Sequence, residues 1–295
     1  MEADFTAKTK RIDVLPLVKY YLSELDFYPI FQKYIPKQSN AEMEPAQALC
    51  MMVLNIICAR RPLYKVEEWL ADYTDGLSEK VINASQYNDD QPGQSMDKLF
   101  AADRHGIMSE LSSNAIKVHE LQTDDMHNDS TSVTFSGEYE TQEQGSVNLT
   151  RGFNKDHRPD CKQVVFGLNI TADGNVPSSP GRPGPKTIYT EKIVSSFRLE
   201  YALNAQTVSK AARTDGIFPL ITNSTIEASE VLKKYKNQPY LEKRMYTAKS
   251  VLKVAPVFLK SPRRIEAMLF LYFAALMIVG LVERNIRKKY EPEKY

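Results

Sequence analysis

Apolar residues that recur at helical spacing dominate the first part of the chain, up to about residue 120. The apolar run 45–58 begins with Pro45, and proline is favoured in the first turn of a helix. A second amphipathic segment, 63–70, contains Trp69, and the polar loop 83–93 leads into a further helix start at 96–100. The pattern predicts an N-terminal helical domain, which we assign to residues 1–117.

From about residue 118 the pattern is typical of β-strands. Residues 130–135 are rich in β-branched side chains, and the apolar run 163–171 is followed by Asp173-Gly174, a turn pair. These segments predict the opening antiparallel strands of a mixed sheet. Residues 176–187 contain four prolines among glycine and serine, and such a segment cannot continue a central strand. We interpret it as a linker or junction.

The remaining chain alternates helical and short apolar segments. Helices are predicted over 191–212, over 227–252 with an interruption at Pro239, and over 263–289, and a short strand is predicted at 216–222. The uninterrupted apolar stretch 269–282 is shorter than the roughly 20 residues that a membrane-spanning helix needs. We therefore expect a buried core helix and no association with a membrane.

Charge is distributed unevenly along the chain, although the formal net charge is only +1. Residues 231–295 carry 15 Lys and Arg against 5 Asp and Glu, so the rest of the chain is acidic. This asymmetry indicates a surface that faces a polyanion, and ordinary solvated helix faces are the alternative. The three cysteines lack C-x-x-C spacing and no signal-type apolar core follows the N-terminus, which together favour the cytoplasm, without disulfide or zinc.

Asp129 stands at the start of the predicted strand 130–135 and is a candidate metal ligand. A carboxylate oxygen suits a hard cation such as Mg²⁺, which needs few protein ligands and keeps water or phosphate oxygens for its other positions. A cap or turn role is the alternative for this aspartate.

Tyr235, Gln238, Glu242 and Lys249 follow a spacing that would place them on one side of a continuous helix. A carboxylate on that side could face a metal ion while the other three side chains contact a nucleic-acid backbone. An ordinary amphipathic helix is the alternative, and Pro239 also allows a helix that begins there.

Four stretches of the chain, taken in order, resemble the DDE transposases of insertion sequences, and within them the group with a Tyr-x2-Arg-x3-Glu-x6-Lys signature. The region before them, with 88–90 and 97–100, is similar to the helical domain that precedes the catalytic domain in one branch of that group. The four stretches are residues 127–132, 215–223, 235–244 and 255–266.

The resemblance implies an α/β protein in which residues 118–295 form an RNase H-like mixed sheet with flanking helices. Asp129 and Glu242 match the first and last catalytic carboxylates, which hold Mg²⁺ or Mn²⁺. Tyr235 and Lys249 match the signature residues expected to contact nucleic acid. Gln238 stands where the signature has arginine, which would weaken a phosphate contact because glutamine has no charge.

The second catalytic aspartate of the family has no counterpart. No aspartate occurs between Asp173 and Asp215, and Asp215 precedes the next strand and belongs to another family motif. The simplest explanation is an internal deletion around residues 176–190, with Asp215 as a substitute that the sequence leaves open.

The resulting expectation is a cytoplasmic, nucleoid-associated transposase that binds the terminal inverted repeats of its element and target DNA, with severely reduced cutting and joining. Oligomerisation, with itself or with an intact transposase, is expected because two ends must be joined. A non-catalytic DNA-binding remnant and a general metal-dependent nuclease are the alternatives.

Overall fold

A computed structural model of the protein describes most of the chain in eight stretches and a few further positions. Its contacts divide the chain into two units, residues 1–182 with 237–295, and residues 183–236. The stretches are 11–37, 43–72, 90–135, 146–152, 159–172, 176–181, 219–254 and 259–290, with residues 87 and 139 between them and residues 206, 209, 212, 213, 215 and 217 in the second unit.

Helices fill the described part of the N-terminal region, as predicted. They are α1 (Leu15–Glu24), α2 (Phe27–Tyr34), α3 (Pro45–Leu54), α4 (Val66–Asp72), α5 (Asp90–Ala101) and α6 (Arg104–His119). Helix α3 continues into a π-helical segment, Asn55–Ala59. Helix α6 begins at a side-chain cap, because Asp103 accepts a hydrogen bond of 2.9 Å from the Gly106 N–H, one of the amides that a helix start leaves without a partner.

The four described strands form one antiparallel sheet. Strand β1 (Met126–Phe135) pairs along its whole length with β3 (Lys162–Thr171), from Met126 opposite Thr171 to Phe135 opposite Lys162. Strands β2 (Thr150–Arg151) and β4 (Pro177–Gly181) share the other edge of β3. The sheet and helices together make a mixed α/β protein, and the RNase H-like assignment stays a prediction.

Strand β4 corrects the interpretation of residues 176–187 as a linker, because four of its five residues, all except Ser178, pair with β3. The pairing is irregular between Asn169 and Ile170, and β4 lies at an edge, where proline is tolerated because the missing N–H faces away from the ladder. Residues 182–190, the rest of the proposed deletion site, lie outside the described residues, as do the Asp173-Gly174 turn and nearly all of the predicted helix 191–212.

One hydrophobic core joins the N-terminal helices to the sheet. Leu168 and Ile170 of β3 belong to the same buried cluster as the apolar faces of α1, α2, α3, α5 and α6. The predicted domain boundary between residues 117 and 118 therefore falls where helices and strands pack on a common core.

The C-terminal part of the first unit contributes two helices to this core. They are α8 (Gln238–Tyr246), extended by a π-helical segment at Thr247–Val251, and α9 (Pro262–Tyr290). Helix α9 confirms the prediction for residues 263–289. It is long and apolar enough to cross a membrane by length and composition, but 72% of its most apolar 18 residues are buried inside the protein.

Two features of the second unit are described. Helix α7 (Ala228–Tyr235) is amphipathic, with Lys233 and Lys234 in its last turn. The strand predicted at 216–222 is wrong at the described positions, which have no strand pairing. Ile217 and Ile221 are 70% and 97% exposed there, so the apolar pattern of this segment does not correspond to a buried strand.

Candidate functional site

Asp129 lies on the core-facing side of β1. Side chains of a strand alternate between the two faces of a sheet, so Asp129 shares a face with Thr131, Val133 and Phe135, all of which are buried. Its Cα is paired with that of Leu168, a fully buried residue of β3. Asp129 itself is half-buried, and its Oδ1 accepts a hydrogen bond of 2.7 Å from the Ser130 N–H. The carboxylate is thus at the margin where the core face meets solvent.

His127 occupies the next position on the same face of β1, two residues before Asp129. Its Nε2 is buried and makes no hydrogen bond to any described residue. Burial lowers the pKa of its imidazole, and the charge of Asp125 acts in the opposite direction. A neutral imidazole and a carboxylate therefore stand side by side along one strand face.

Glu242 is carried by α8, the helix that packs against β1. Leu241, Arg244 and Met245 form the buried side of α8, at the spacing of one helical turn. Glu242 follows Leu241 by one residue, about 100° around the helix axis, and is exposed. The elements that carry Asp129 and Glu242 are therefore in direct contact.

Residues 235–249 do not form the single helix that the spacing suggested. Helix α7 ends at Tyr235, α8 begins at Gln238 with Pro239 in its first turn, and Lys249 lies in the π-helical segment. The alternative prediction, a helix that begins near Pro239, is confirmed. The break has a simple cause, since proline has no N–H to donate to the preceding turn.

The predicted nucleic-acid contacts are consequently distributed over three elements. Gln238 and Glu242 remain one turn apart on α8, and both are exposed. Lys249 is half-buried, and Tyr235, which is 42% exposed, belongs to the second unit. Asp215 is an exposed turn residue of that second unit.

An ion pair between buried Arg244 and half-buried Glu283, absent from the sequence prediction, joins α8 to α9. Arg244 is 1% exposed, and its Nη1 lies 3.0 Å from Glu283 Oε2. Arg287 and Lys243 approach the same carboxylate at 2.7 and 3.7 Å. Burial alone would raise the pKa of Glu283, but Arg244, Lys243 and Arg287 together lower it below its ordinary value. The sequence did contain a signal, since position 244 falls on the apolar face defined by Leu241 and Met245.

Within the described stretches, no three His, Cys, Asp or Glu side chains converge as a metal-binding group. Mg²⁺ can be held by one or two carboxylates when water and substrate oxygens complete its shell. Asp129 and Glu242, on contacting elements, offer that number.

The cysteines are all free thiols. Burial raises the pKa of both Cys50 and Cys58 to about 12, so neither is a thiolate at neutral pH. They are structural residues of the N-terminal helical region.

Comparison with known families gives one match, which covers residues 7–113 and is described as a domain of unknown function (DUF4277). The matched region contains α1 to α5 and most of α6, and it lies within the predicted N-terminal domain, 1–117. Searches of curated proteins and of solved structures found no match.

Proposed function

We propose that this protein is a DNA-binding protein of the insertion-sequence transposase type, with Asp129 and Glu242 as the ligands of one Mg²⁺ or Mn²⁺ ion. The observation that carries the proposal is the packing of α8 against β1, which joins the two elements that bear the carboxylates. The N-terminal match adds support, because this domain family is common in transposase-like proteins. The RNase H-like sheet belongs to the same proposal, and β1 and β3 correspond to its antiparallel opening strands.

The two carboxylates of the proposed site have different roles because they differ in burial. Asp129 is half-buried and accepts a hydrogen bond from the Ser130 N–H, so it serves as the ligand held in a fixed position. Glu242 is exposed, so it serves as the ligand closest to the approaching DNA. Gln238, one turn before Glu242, can donate amide N–H bonds to a phosphate oxygen. A bound divalent cation would supply Lewis-acid stabilisation of the attacked phosphodiester and activate the attacking hydroxyl.

Strand cutting is impaired in this proposal. Phosphoryl transfer with two metal ions needs enough carboxylates to hold both ions. This chain has no aspartate between Asp173 and Asp215, where the second catalytic aspartate of the family is expected. That gap favours the second candidate function, a DNA-binding remnant that occupies element ends or joins mixed oligomers with an intact transposase. We place either form in the cytoplasm, associated with the nucleoid.

Metal-dependent cutting of labelled DNA that carries the flanks of the gene tests the proposal. We expect tight binding and weak cutting with Mg²⁺ or Mn²⁺, and a further loss of at least about 100-fold in Asp129→Asn and Glu242→Gln, because a cation ligand supplies transition-state charge. Asp124→Asn, an exposed carboxylate just before β1, is the matched control and should leave cutting unchanged.

Each alternative has its own outcome in this experiment. Binding without any cutting supports the remnant, and equal degradation of unrelated DNA supports a general nuclease. If the intact chain neither binds nor cuts these fragments, the transposase-type proposal is wrong.

A further inference from the structure

Two π-helical segments that are far apart in the chain, Asn55–Ala59 and Thr247–Val251, have their C-terminal ends close together. The first, Asn55–Ala59, is followed by Arg60, and the second ends at Val251. Arg60 Nη1 donates a hydrogen bond of 2.9 Å to the Val251 carbonyl oxygen. This bond attaches the N-terminal helical region to the extension of α8, the helix that carries Glu242.

Both segments are basic and contain no acidic residue. Residues 60–65 include Arg60, Arg61 and Lys65, and residues 243–253 include Lys249 and Lys253 among their cations. Arg60, Arg61 and Lys253 are exposed, and Lys249 is half-buried. We call Arg60, Arg61, Lys249 and Lys253 the joint basic surface.

The loop that presents this surface is held in place from beneath. Asn55, which is buried, accepts a hydrogen bond of 3.0 Å from the Arg61 N–H and donates one of 2.8 Å to the Arg61 carbonyl oxygen. The backbone of Arg61 is therefore fixed while its side chain stays exposed. Such preorganisation reduces the entropy that a binding side chain loses on contact.

Stabilisation of helix ends explains only part of this arrangement. Cations near helix C-termini interact favourably with the helix dipole, and the bond from Arg60 to Val251 has that character. It does not explain Arg61, whose backbone is clamped but whose guanidinium faces solvent. Nor does stabilisation of helix ends explain why Tyr64, between Arg61 and Lys65, is 69% exposed. Exposed aromatic residues among cations are typical of surfaces that bind nucleic acid.

We infer that the joint basic surface binds the phosphate backbone of DNA next to the site at Glu242. The N-terminal helical region then contributes directly to DNA contact instead of acting only as a packing partner. Arginine suits this partner because its guanidinium can bind phosphate through two parallel hydrogen bonds. The inference rests on the proposed function, since it places this backbone contact on the DNA that reaches Glu242.

The salt dependence of DNA affinity tests the inference with charge-neutralised variants. Binding of a short labelled duplex is measured by fluorescence anisotropy over a series of salt concentrations, for the intact chain and for Arg61→Gln/Lys253→Gln. We expect the slope of log K against log salt to fall by about 2 and the Kd at low salt to rise roughly 10-fold, because each lost phosphate contact releases about one counterion fewer. Arg61→Lys/Lys253→Arg should restore both values.

The matched control is Lys37→Gln/Lys117→Gln, which removes two exposed charges from elsewhere in the N-terminal helical region. An equal slope change in the two double variants overturns the inference, because the effect would then come from net charge alone. Thermal melting of both variants should match the intact chain, and a lower Tm confined to Arg61→Gln/Lys253→Gln would assign these residues a structural role.

The outcomes also separate this inference from the proposed function. If the intact chain binds DNA and the Arg61→Gln/Lys253→Gln variant binds equally well, only the joint basic surface is wrong. If the intact chain binds no DNA, both are wrong. If the intact chain binds a labelled polyglutamate peptide as tightly as the duplex, the surface recognises negative charge and not phosphate.

Discussion

Arg244 is a charged side chain that is almost completely buried, at 1% exposed. A buried guanidinium is costly unless a carboxylate compensates for the lost hydration, and Glu283 at 3.0 Å does so. Arg244 lies two residues from Glu242, and its ion pair with Glu283 joins α8 to α9. Its contribution is therefore to the position of the site as well as to stability.

Replacing Arg244 by methionine should destabilise the protein by about 2 kcal/mol, because Glu283 loses its buried partner but keeps Arg287 at 2.7 Å. Lys243→Met removes an exposed cation 3.7 Å from the same carboxylate and should cost less than about 1 kcal/mol. Denaturant unfolding of both variants measures the difference. Equal losses would mean that burial of Arg244 has no energetic consequence.

Sequence could predict that Asp129 lies at a strand and Glu242 on a helix, but not which side chains surround them. The strand around Asp129 and the helical residues around Glu242 were both predicted, because β-branched alternation and helical periodicity are local signals. The Arg244–Glu283 pair joins residues of two helices, and such a contact depends on how α8 and α9 pack. Asn55 belongs to the predicted helical run 45–58, but its side chain hydrogen-bonds the backbone of Arg61 in the loop that follows.

At the scale of elements, helices α1, α6 and α9 meet around His119. The ring of Tyr21 stacks on His119 with centroids 5.7 Å apart, and Asn285 Nδ2 donates a hydrogen bond of 2.8 Å to the Tyr21 hydroxyl. Arg284 Nη1 donates to the His119 carbonyl oxygen at 3.0 Å. Glu24 Oε2 lies 3.4 Å from His119 Nε2. The C-terminal end of α6 is thereby held between the other two helices.

This junction should make the protein less stable in mild acid. Burial lowers the pKa of His119, and Arg284 and Lys288 lower it further, while Glu24 acts in the opposite direction. A folded-state pKa below 6.5 means that the unfolded chain takes up the proton first, so the stability that His119 contributes above pH 6.5 is lost as the pH falls towards the folded value.

The measurement is the Tm at about pH 7.5 and about pH 5, in a range where histidine titrates. His119→Gln should show a smaller decrease in Tm than the intact chain, whereas His105→Gln, an exposed histidine of the same helix, should show the same decrease. An identical pH dependence in the intact chain and His119→Gln would contradict the assignment.

Element boundaries were predictable where one signal dominated. The continuous apolar content of α9 gave its limits to within one residue, whereas the predicted helix 227–252 is divided by Pro239 and ends in a π-helical segment. The strand predicted from the apolar run 216–222 is not formed at its described positions. A strand needs a neighbouring strand to pair with, and the hydrophobic pattern does not show whether one is present. The pairing of Pro177–Gly181 with β3 depends likewise on a distant partner.

At the scale of the whole molecule, the N-terminal helices, β3, α8 and α9 share one core, and β1 packs with α9 in a second, smaller cluster that includes Val133 and Phe135. Sequence texture correctly separated a helical region from a region with strands, but it could not show that their apolar faces pack together. Helix α9 contributes to both clusters, so β1 and α8 are positioned through α9 as well as by their direct contact. Packing alone, however, does not make Asp129 and Glu242 a metal site.

Iron-directed cleavage of the protein itself tests that central claim most directly. Fe²⁺ can replace Mg²⁺ among carboxylate oxygens, and with ascorbate and peroxide it generates radicals that cut the backbone beside the bound ion. We predict cuts near both residue 129 and residue 242, suppressed by excess Mg²⁺ and absent in Glu242→Gln. Cleavage near only one of these positions, or at neither, would contradict a cation shared by Asp129 and Glu242.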